Sequence, residues 1–409
     1  MYEVRTGMSE MTGPNATAGS NRRRHHGRRL AIGVAGIAAM GLIAGCSTSL
    51  SLSESSAKPT QPVAAPPTQS PSPTASPTPS PTPVPTSPLS GLPSGSNQVV
   101  FGVKIDNIVD ARPHVGIQSA DLVYVEQVEG GLTRLLALFN STYPTKIGPV
   151  RSARISDIDL LAPFNHIPLA YSGAQMKLYP LIWASPIIDV GTNKGANAYT
   201  RDYHRYAPHN LFANGETLVA DGLKKNPTLA TDMGWIFDKA TPAGGVLTTS
   251  VKARWPAATA AARWDAGAHR YEILFDGKPE MDVTAGHSVH AGTVIVQYVN
   301  QTDSQFKDHW GGVTPLIHSI GSGKAIILRD SKSWVGRWSR PSATDFTTYT
   351  VNGQTFPFEV GPVWVLLVKN DRPVALWPPT ASPKPTATST VAPSASSTNA
   401  TKTHVKPRA

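Results

Sequence analysis

Arginines and carboxylates gather at predicted strand ends and helix starts in the first half of the folded region. Asp106 and Asn107 close one predicted strand, and Arg112 follows in the next loop. Glu126, Glu129 and Arg134 surround a Gly-Gly turn, and Arg151 and Arg154 lead into a predicted helix. Strand ends and helix starts are where mixed folds place their ligands. A planar guanidinium matches a carboxylate or a phosphate with two parallel hydrogen bonds. Three residues apart on a first helical turn, Arg151 and Arg154 could face one anion, aided by the helix N-terminus. The same residues also fit a structural role. Glu126 or Glu129 could pair with Arg134, Arg151 or Arg154 and pin the hairpin to the helix.

Other chemistries are less well supplied. Glu126 and Glu129 could act as the paired carboxylates of glycoside cleavage. Their spacing across a strand end does not make them face each other, because strand side chains alternate. His209 and Asn210 form a loop that could contact a ligand or stabilise a turn. Asp202, His204 and His209 could ligate a metal, but Pro208 argues against a helical His pair and no third His is close. Metal is therefore not expected, and no cofactor is expected either. Ser172-Gly173 lacks the full Gly-x-Ser-x-Gly nucleophile elbow. Trp310, Trp334, Trp338 and Trp364 read as core, with an exposed strip for glycan stacking as the alternative.

The elements that must position these residues follow from periodicity and turn chemistry. Strands are expected at 99–105, 122–128 and 132–139, the last two as a hairpin across Glu129-Gly130-Gly131. Helices are expected at 152–161 and 174–183, and a third opens with Asn214 as N-cap. From about Val246 the helical signal fades, and strands are expected at 270–275, 293–299, 324–329, 334–338 and 363–368. The fold class is α+β: a mixed α/β domain over 98–245, then a mostly β domain over 246–378.

Flanking segments have a different character. Arg22, Arg23, Arg24, Arg28 and Arg29 precede an apolar stretch, Leu30 to Ala44. That stretch is shorter than the roughly 20 residues a membrane-spanning helix needs, and residues 1–45 read as a secretory signal peptide. The boundary Ile43-Ala44-Gly45-Cys46 is similar to the lipobox of bacterial lipoproteins, which makes Cys46 the residue expected to carry diacylglycerol. Two acyl chains, with palmitate as an expected fatty acid, supply firmer anchoring than one chain. Residues 46–97 are a Pro/Ser/Thr-rich linker, expected to be disordered, with thirteen prolines between Ala57 and Pro93. Such a chain favours polyproline II at about 3.1 Å per residue, a reach on the order of 100 Å. Residues 379–409 form a second tail of the same kind.

Charge follows these divisions. Of the formal +10, +4 lies in residues 1–45 and +4 in the C-terminal tail, which leaves about +2 for the folded region. Nucleic-acid binding would require a basic face on the folded part, so it is not expected. The single cysteine excludes an intramolecular disulfide.

Several ordered motifs resemble the YerB-like lipoproteins, a bacterial family whose folded region is catalogued as a domain of unknown function. They are Ile105-Asp106-Asn107, Ala111-Arg112-Pro113, Ala120-Asp121-Leu122-Val123-Tyr124, Glu129-Gly130-Gly131-Leu132-Thr133-Arg134, Ile147-Gly148-Pro149-Val150-Arg151-Ser152-Ala153-Arg154 and Ala207-Pro208-His209-Asn210-Leu211. Later stretches continue the resemblance at Gly321 to Ala325, Gly336 to Pro341 and Gly361 to Val365. The resemblance spans about Pro88 to Leu376. It implies lipid anchoring, a mixed N-terminal domain and a β-rich C-terminal one, and supplies no activity. Tyr171-Ser172-Gly173-Ala174-Gln175 departs from the family's more Gly-rich turn, which weakens any special role for Ser172.

The preferred expectation is an envelope lipoprotein, anchored to the outer face of the cell membrane through Cys46. It would bind an anionic cell-wall polymer or a partner protein of the envelope. The alternative is a glycan or peptide hydrolase or transferase using Glu126, Glu129 or His209.

Overall fold

In the computed structural model the residues described are 84–94 and 97–378. Cys46, the signal segment, most of the Pro-rich linker and the C-terminal tail lie outside them. The first half contains β1 (Phe101–Asp106), β2 (Leu122–Gln127), β3 (Thr133–Phe139), α1 (Ile155–Leu161), β4 (Ile167–Ala170), α2 (Tyr179–Ala184) and β5 (Ile187–Asp189). A short ribbon, β6 (Tyr199–Arg201) and β7 (Leu211–Ala213), precedes α3 (Gly215–Leu223). Asn214 caps α3 as the sequence predicts, its side-chain oxygen accepting the Thr217 N–H at 2.9 Å. From Val246 onward the described elements are all strands. The fold is therefore mixed α/β and strand-dominated.

One sheet unites the two halves. Its path runs from Gln354–Thr355 through Thr348–Val351, Lys332–Arg340, Gly321–Arg329, Thr293–Lys307 and Val363–Lys369 to β2, β3, β1, β4 and β5. Val363–Lys369 lies parallel to both Thr293–Lys307 and β2. Its run Val-Trp-Val-Leu-Leu-Val is buried throughout, as expected of a strand covered on both faces. Residues 98–245 and 246–378 are thus joined by strand pairing at the centre of the sheet.

Side-chain alternation sorts the core into two layers. Val103, Ile105, Val123, Val125, Leu135 and Ala137 face a second sheet built from Ser250–Trp255, Ala258–Asp265 and Arg270–Phe275. Leu122, Tyr124, Leu136 and Leu138 face the other way, beneath α1 and α2. The β2–β3 hairpin forms with Glu126 opposite Arg134. Its turn needs glycine at 131, where φ is +72° and an added Cβ would lie 2.4 Å from Pro256.

The predicted helix at 152–161 begins three residues late. The Arg151 N–H donates to the Lys104 carbonyl at 2.8 Å and the Ala153 N–H to the Gly173 carbonyl at 2.9 Å. That pairing keeps the backbone extended through Arg154 (φ −127°, ψ 163°). Among the described residues no helix is long and apolar enough to cross a membrane.

Candidate functional site

The site grows from one row of the central sheet. Arg134 on β3 lies opposite Asp106 on β1 and opposite Glu126 on β2. Alternation sends all three, with Lys104 two residues before Asp106, to the face that α1 covers. Further along that face the same strands carry Leu136, Leu138, Leu122 and Tyr124. The polar row therefore marks where the apolar layer ends. There a cavity of about 760 Å³ opens, lined by Asp106, Glu129, Arg134, Arg151, Arg154 and His209. The turn after Thr293–Lys307 closes its far side with Lys307, His309 and Trp310.

Each polar side chain has a distinct position. Beyond the reach of β4, the segment before α1 takes over the edge of β1: the Asp106 N–H donates to the Pro149 carbonyl at 2.9 Å. This register sets Arg151 beside Asp106, with Nε 3.0 Å from Oδ2. His209 reaches the same oxygen from the loop between β6 and β7, Nδ1 donating at 2.7 Å. A proton on Nδ1 leaves Nε2 as a lone-pair acceptor at the cavity wall.

Arg154 is fully engaged. Its Nε and Nη2 grip the Glu129 carboxylate at 2.6 and 2.8 Å, and Nη1 donates to the Ala153 carbonyl at 3.0 Å. Thr314, from the Val313–His318 strand, donates its hydroxyl to the same carboxylate. Burial pushes the Glu129 carboxyl up, but the Arg154 guanidinium outweighs it and holds the group below the ordinary carboxylate range. The ion pair that the sequence offered as a structural alternative therefore exists, as Glu129 with Arg154.

Arg134 differs. It is 8% exposed, yet its one hydrogen bond among the described residues runs from Nη1 to the Ser152 carbonyl at 3.0 Å. No carboxylate among the described residues comes within 4.0 Å of its guanidinium. Burial, and next the neighbouring Arg154, push it down to about 9 against the more distant pull of Glu129 and Asp106, which leaves it charged at neutral pH. Arg134 and Arg151 thus bring unused N–H donors to one cavity. The arrangement suits a bound anion.

The remaining candidates lie elsewhere. Glu126 is buried against the Lys104 ammonium, which also donates to Asp157 Oδ1 at 2.7 Å. Glu129 lines the cavity and Glu126 does not. Asn107 donates to Thr133 Oγ1 at 2.9 Å and accepts from Arg112 Nε at 3.2 Å. Arg112 turns away to Asp276 Oδ2 at 2.9 Å and lies over the Phe275 ring. Asn210 accepts from Arg201 at 2.8 Å within the β6–β7 ribbon. Arg151 and Arg154 share the cavity from an extended segment rather than from one helical turn.

Three further participants are Lys104, Asp157 and Thr314. Lys104 sits in an apolar strand run, where an internal charge could have been noticed. Asp157 shows itself only through its position three residues after Arg154, whose N–H it accepts at 2.6 Å. Thr314 is brought in by tertiary packing alone. Trp334, Trp338 and Trp364 are core, as predicted, but Trp310 is 85% exposed. It stands on a turn between two strands that projects beyond the layers able to cover it.

Comparison with known proteins agrees with this architecture. Residues 89–228 match the N-terminal domain, and residues 251–365 the C-terminal domain, of a protein family of unknown function, DUF3048. A curated relative, "Putative lipoprotein YerB" of Bacillus subtilis (strain 168), is 38% identical over 84 residues. That stretch is 20% of this chain and 25% of the relative, so most of the relative's length lies outside the match. The crystal structure of YerB protein from Bacillus subtilis superposes with a TM-score of 0.59 at 21% identity, covering 71% of this chain and 99% of that one. That likeness is one of fold. The two matched domains, the shared fold and the ordered motifs together place this chain in the YerB-like family.

Proposed function

We propose that the folded region binds an anionic group, a phosphate or carboxylate of a cell-envelope polymer or partner, through Arg134 and Arg151. One observation carries this reading: Arg134 is a buried cation at the cavity wall with no carboxylate among the described residues within 4.0 Å of its guanidinium. A buried charge is costly until it is paired; Glu129 and Asp106 act on Arg134 only from beyond ion-pair distance, so an incoming anion supplies the direct contact. Lys307 adds a further cation to the lining.

Calorimetric titration of the full chain with inorganic phosphate and glycerol 3-phosphate tests the site. Loss of one charge-assisted contact predicts affinity at least about tenfold weaker in Arg151→Ala, with partial recovery in Arg151→Lys. Unaltered affinity in a folded Arg151→Ala protein would sink the assignment. The Asp106–His209 pair supports one second reading, proton transfer on the bound group. Release of glycerol and inorganic phosphate from glycerol 3-phosphate, with water attacking phosphorus and His209 protonating the departing glycerol oxygen, would favour it.

Anchoring at the envelope belongs to the same proposal. It is supported by the apolar run ending at Cys46 and by the relative whose name calls it a lipoprotein. A thioether needs the thiol, so Cys46→Ser is expected to move the chain from the membrane fraction to the soluble one. Retention of the variant in the membrane fraction would count against lipid attachment there.

A further inference from the structure

Trp310 is an exposed aromatic side chain in the lining of the arginine cavity, and anion binding alone does not account for it. The other tryptophans of the C-terminal half that the sequence placed in the core are buried, whereas this one is 85% exposed. Its turn is nevertheless held. Asp308 Oδ1 accepts the Trp310 N–H at 2.9 Å and the Gly312 N–H at 2.7 Å. The Gln175 side chain donates to the Lys307 carbonyl and ties the base of the turn to the opposite wall. His309 meets the indole edge-on, ring centres 5.7 Å apart, which leaves an indole face uncovered by any other ring among the described residues. A flat apolar face carried on a hydrogen-bonded turn at the mouth of a polar cavity is a stacking platform.

The rest of the cavity constrains what could stack. At about 760 Å³ it is larger than a lone phosphate or carboxylate needs and falls among the volumes of small-ligand sites. Its wall combines charge on Arg134 and Arg151 with apolar surface on Ile155 and Leu178. A ligand complementary to all of these carries an anionic group on a compact ring with one C–H-rich face. We infer that the cavity takes an acidic saccharide, its phosphate or carboxylate on Arg134 and Arg151 and its sugar ring against Trp310. This inference rests on the anion-binding reading and adds the class of molecule that bears the anion.

The test separates the two claims. The full chain is titrated with glucose 6-phosphate and glucuronate as acidic saccharides, and with glycerol 3-phosphate as an anion without a ring. Stacking predicts that at least one saccharide binds about tenfold more tightly than glycerol 3-phosphate. Trp310→Ala, an exposed substitution that leaves the core intact, should erase that advantage and leave glycerol 3-phosphate binding unchanged. Trp310→Phe should keep part of it. Equal affinity for ring and ringless anions in the unaltered protein would overturn the saccharide inference while leaving the anion site standing. So would an equal loss for both kinds of probe in Trp310→Ala. Failure of every anion to bind would overturn both.

Discussion

Lys104→Met is expected to cost roughly 3–5 kcal/mol, the range for breaking a buried ion pair by removing one partner. In a body of this size that is a fall in Tm on the order of 10 °C. The ammonium is fully buried between Glu126 and Asp157, and those carboxylates are 1% exposed. Burial pushes the lysine down to about 8, against the opposing pull of Asp157. Methionine retains the volume of the stem and deletes the charge, so two carboxylates remain desolvated without a counter-ion. Adding Glu126→Gln to Lys104→Met removes one of them and should recover part of the loss. Thermal unfolding of the single and double variants measures both steps. A single-variant loss below about 1 kcal/mol would show that the ammonium is not what makes these carboxylates tolerable there.

Glu129→Gln is expected to cost about 3 kcal/mol and to loosen the cavity wall. Its carboxylate takes two bonds from Arg154 and one from Thr314, so one side chain joins the hairpin turn, the segment before α1 and the Val313–His318 strand. Glutamine has the shape but offers a single neutral acceptor, and Arg154 is left without its counter-charge. A pH dependence follows from the same contacts. The folded carboxyl lies below its ordinary value, near 4.3 in an unfolded chain. As acid is added, the unfolded state takes up the proton first. The contribution of this group is therefore complete above about pH 5–6 and is lost as pH falls through the depressed folded value. Glu280, also held low against its burial by His114, adds a second loss of the same sign. Unfolding free energies from pH 7 to pH 3 should fall more steeply in the unaltered protein than in Glu129→Gln. Parallel curves would mean that the Arg154 clamp contributes nothing in solution.

These two clusters also show why part of the site was legible before the fold was known. Asp106, Glu129, Arg134, Arg151, Arg154 and His209 stand beside turns and strand ends, and local chemistry marks such positions. Arg112, Glu126, Asn107 and Asn210 stand in equally suggestive places, yet the structure turns them into ion pairs and hydrogen bonds away from the cavity. The distinction is one of register. A strand's alternation states which residues share a face, but not which neighbour covers that face or how far along it extends.

The sequence by itself determined the alternating core, the hairpin at Glu129-Gly130-Gly131, the Asn214 cap, the strand-only character after Val246 and the cationic tails around a near-neutral folded region. Each depends on contacts or preferences local to a few residues. Tertiary structure alone decided that Val363–Lys369 would sit between Thr293–Lys307 and β2, and that backbone pairing to Lys104 and Gly173 would keep Arg151–Arg154 extended. It also decided that Arg154 would be clamped by a carboxylate while Arg134 would have none within 4.0 Å among the described residues, and that Trp310 would stand exposed on the rim. Those outcomes depend on pairings between residues as far apart as Glu129 and Thr314. Side-chain propensity carries no record of partners at that distance, because the partner is chosen by packing and not by the local chain.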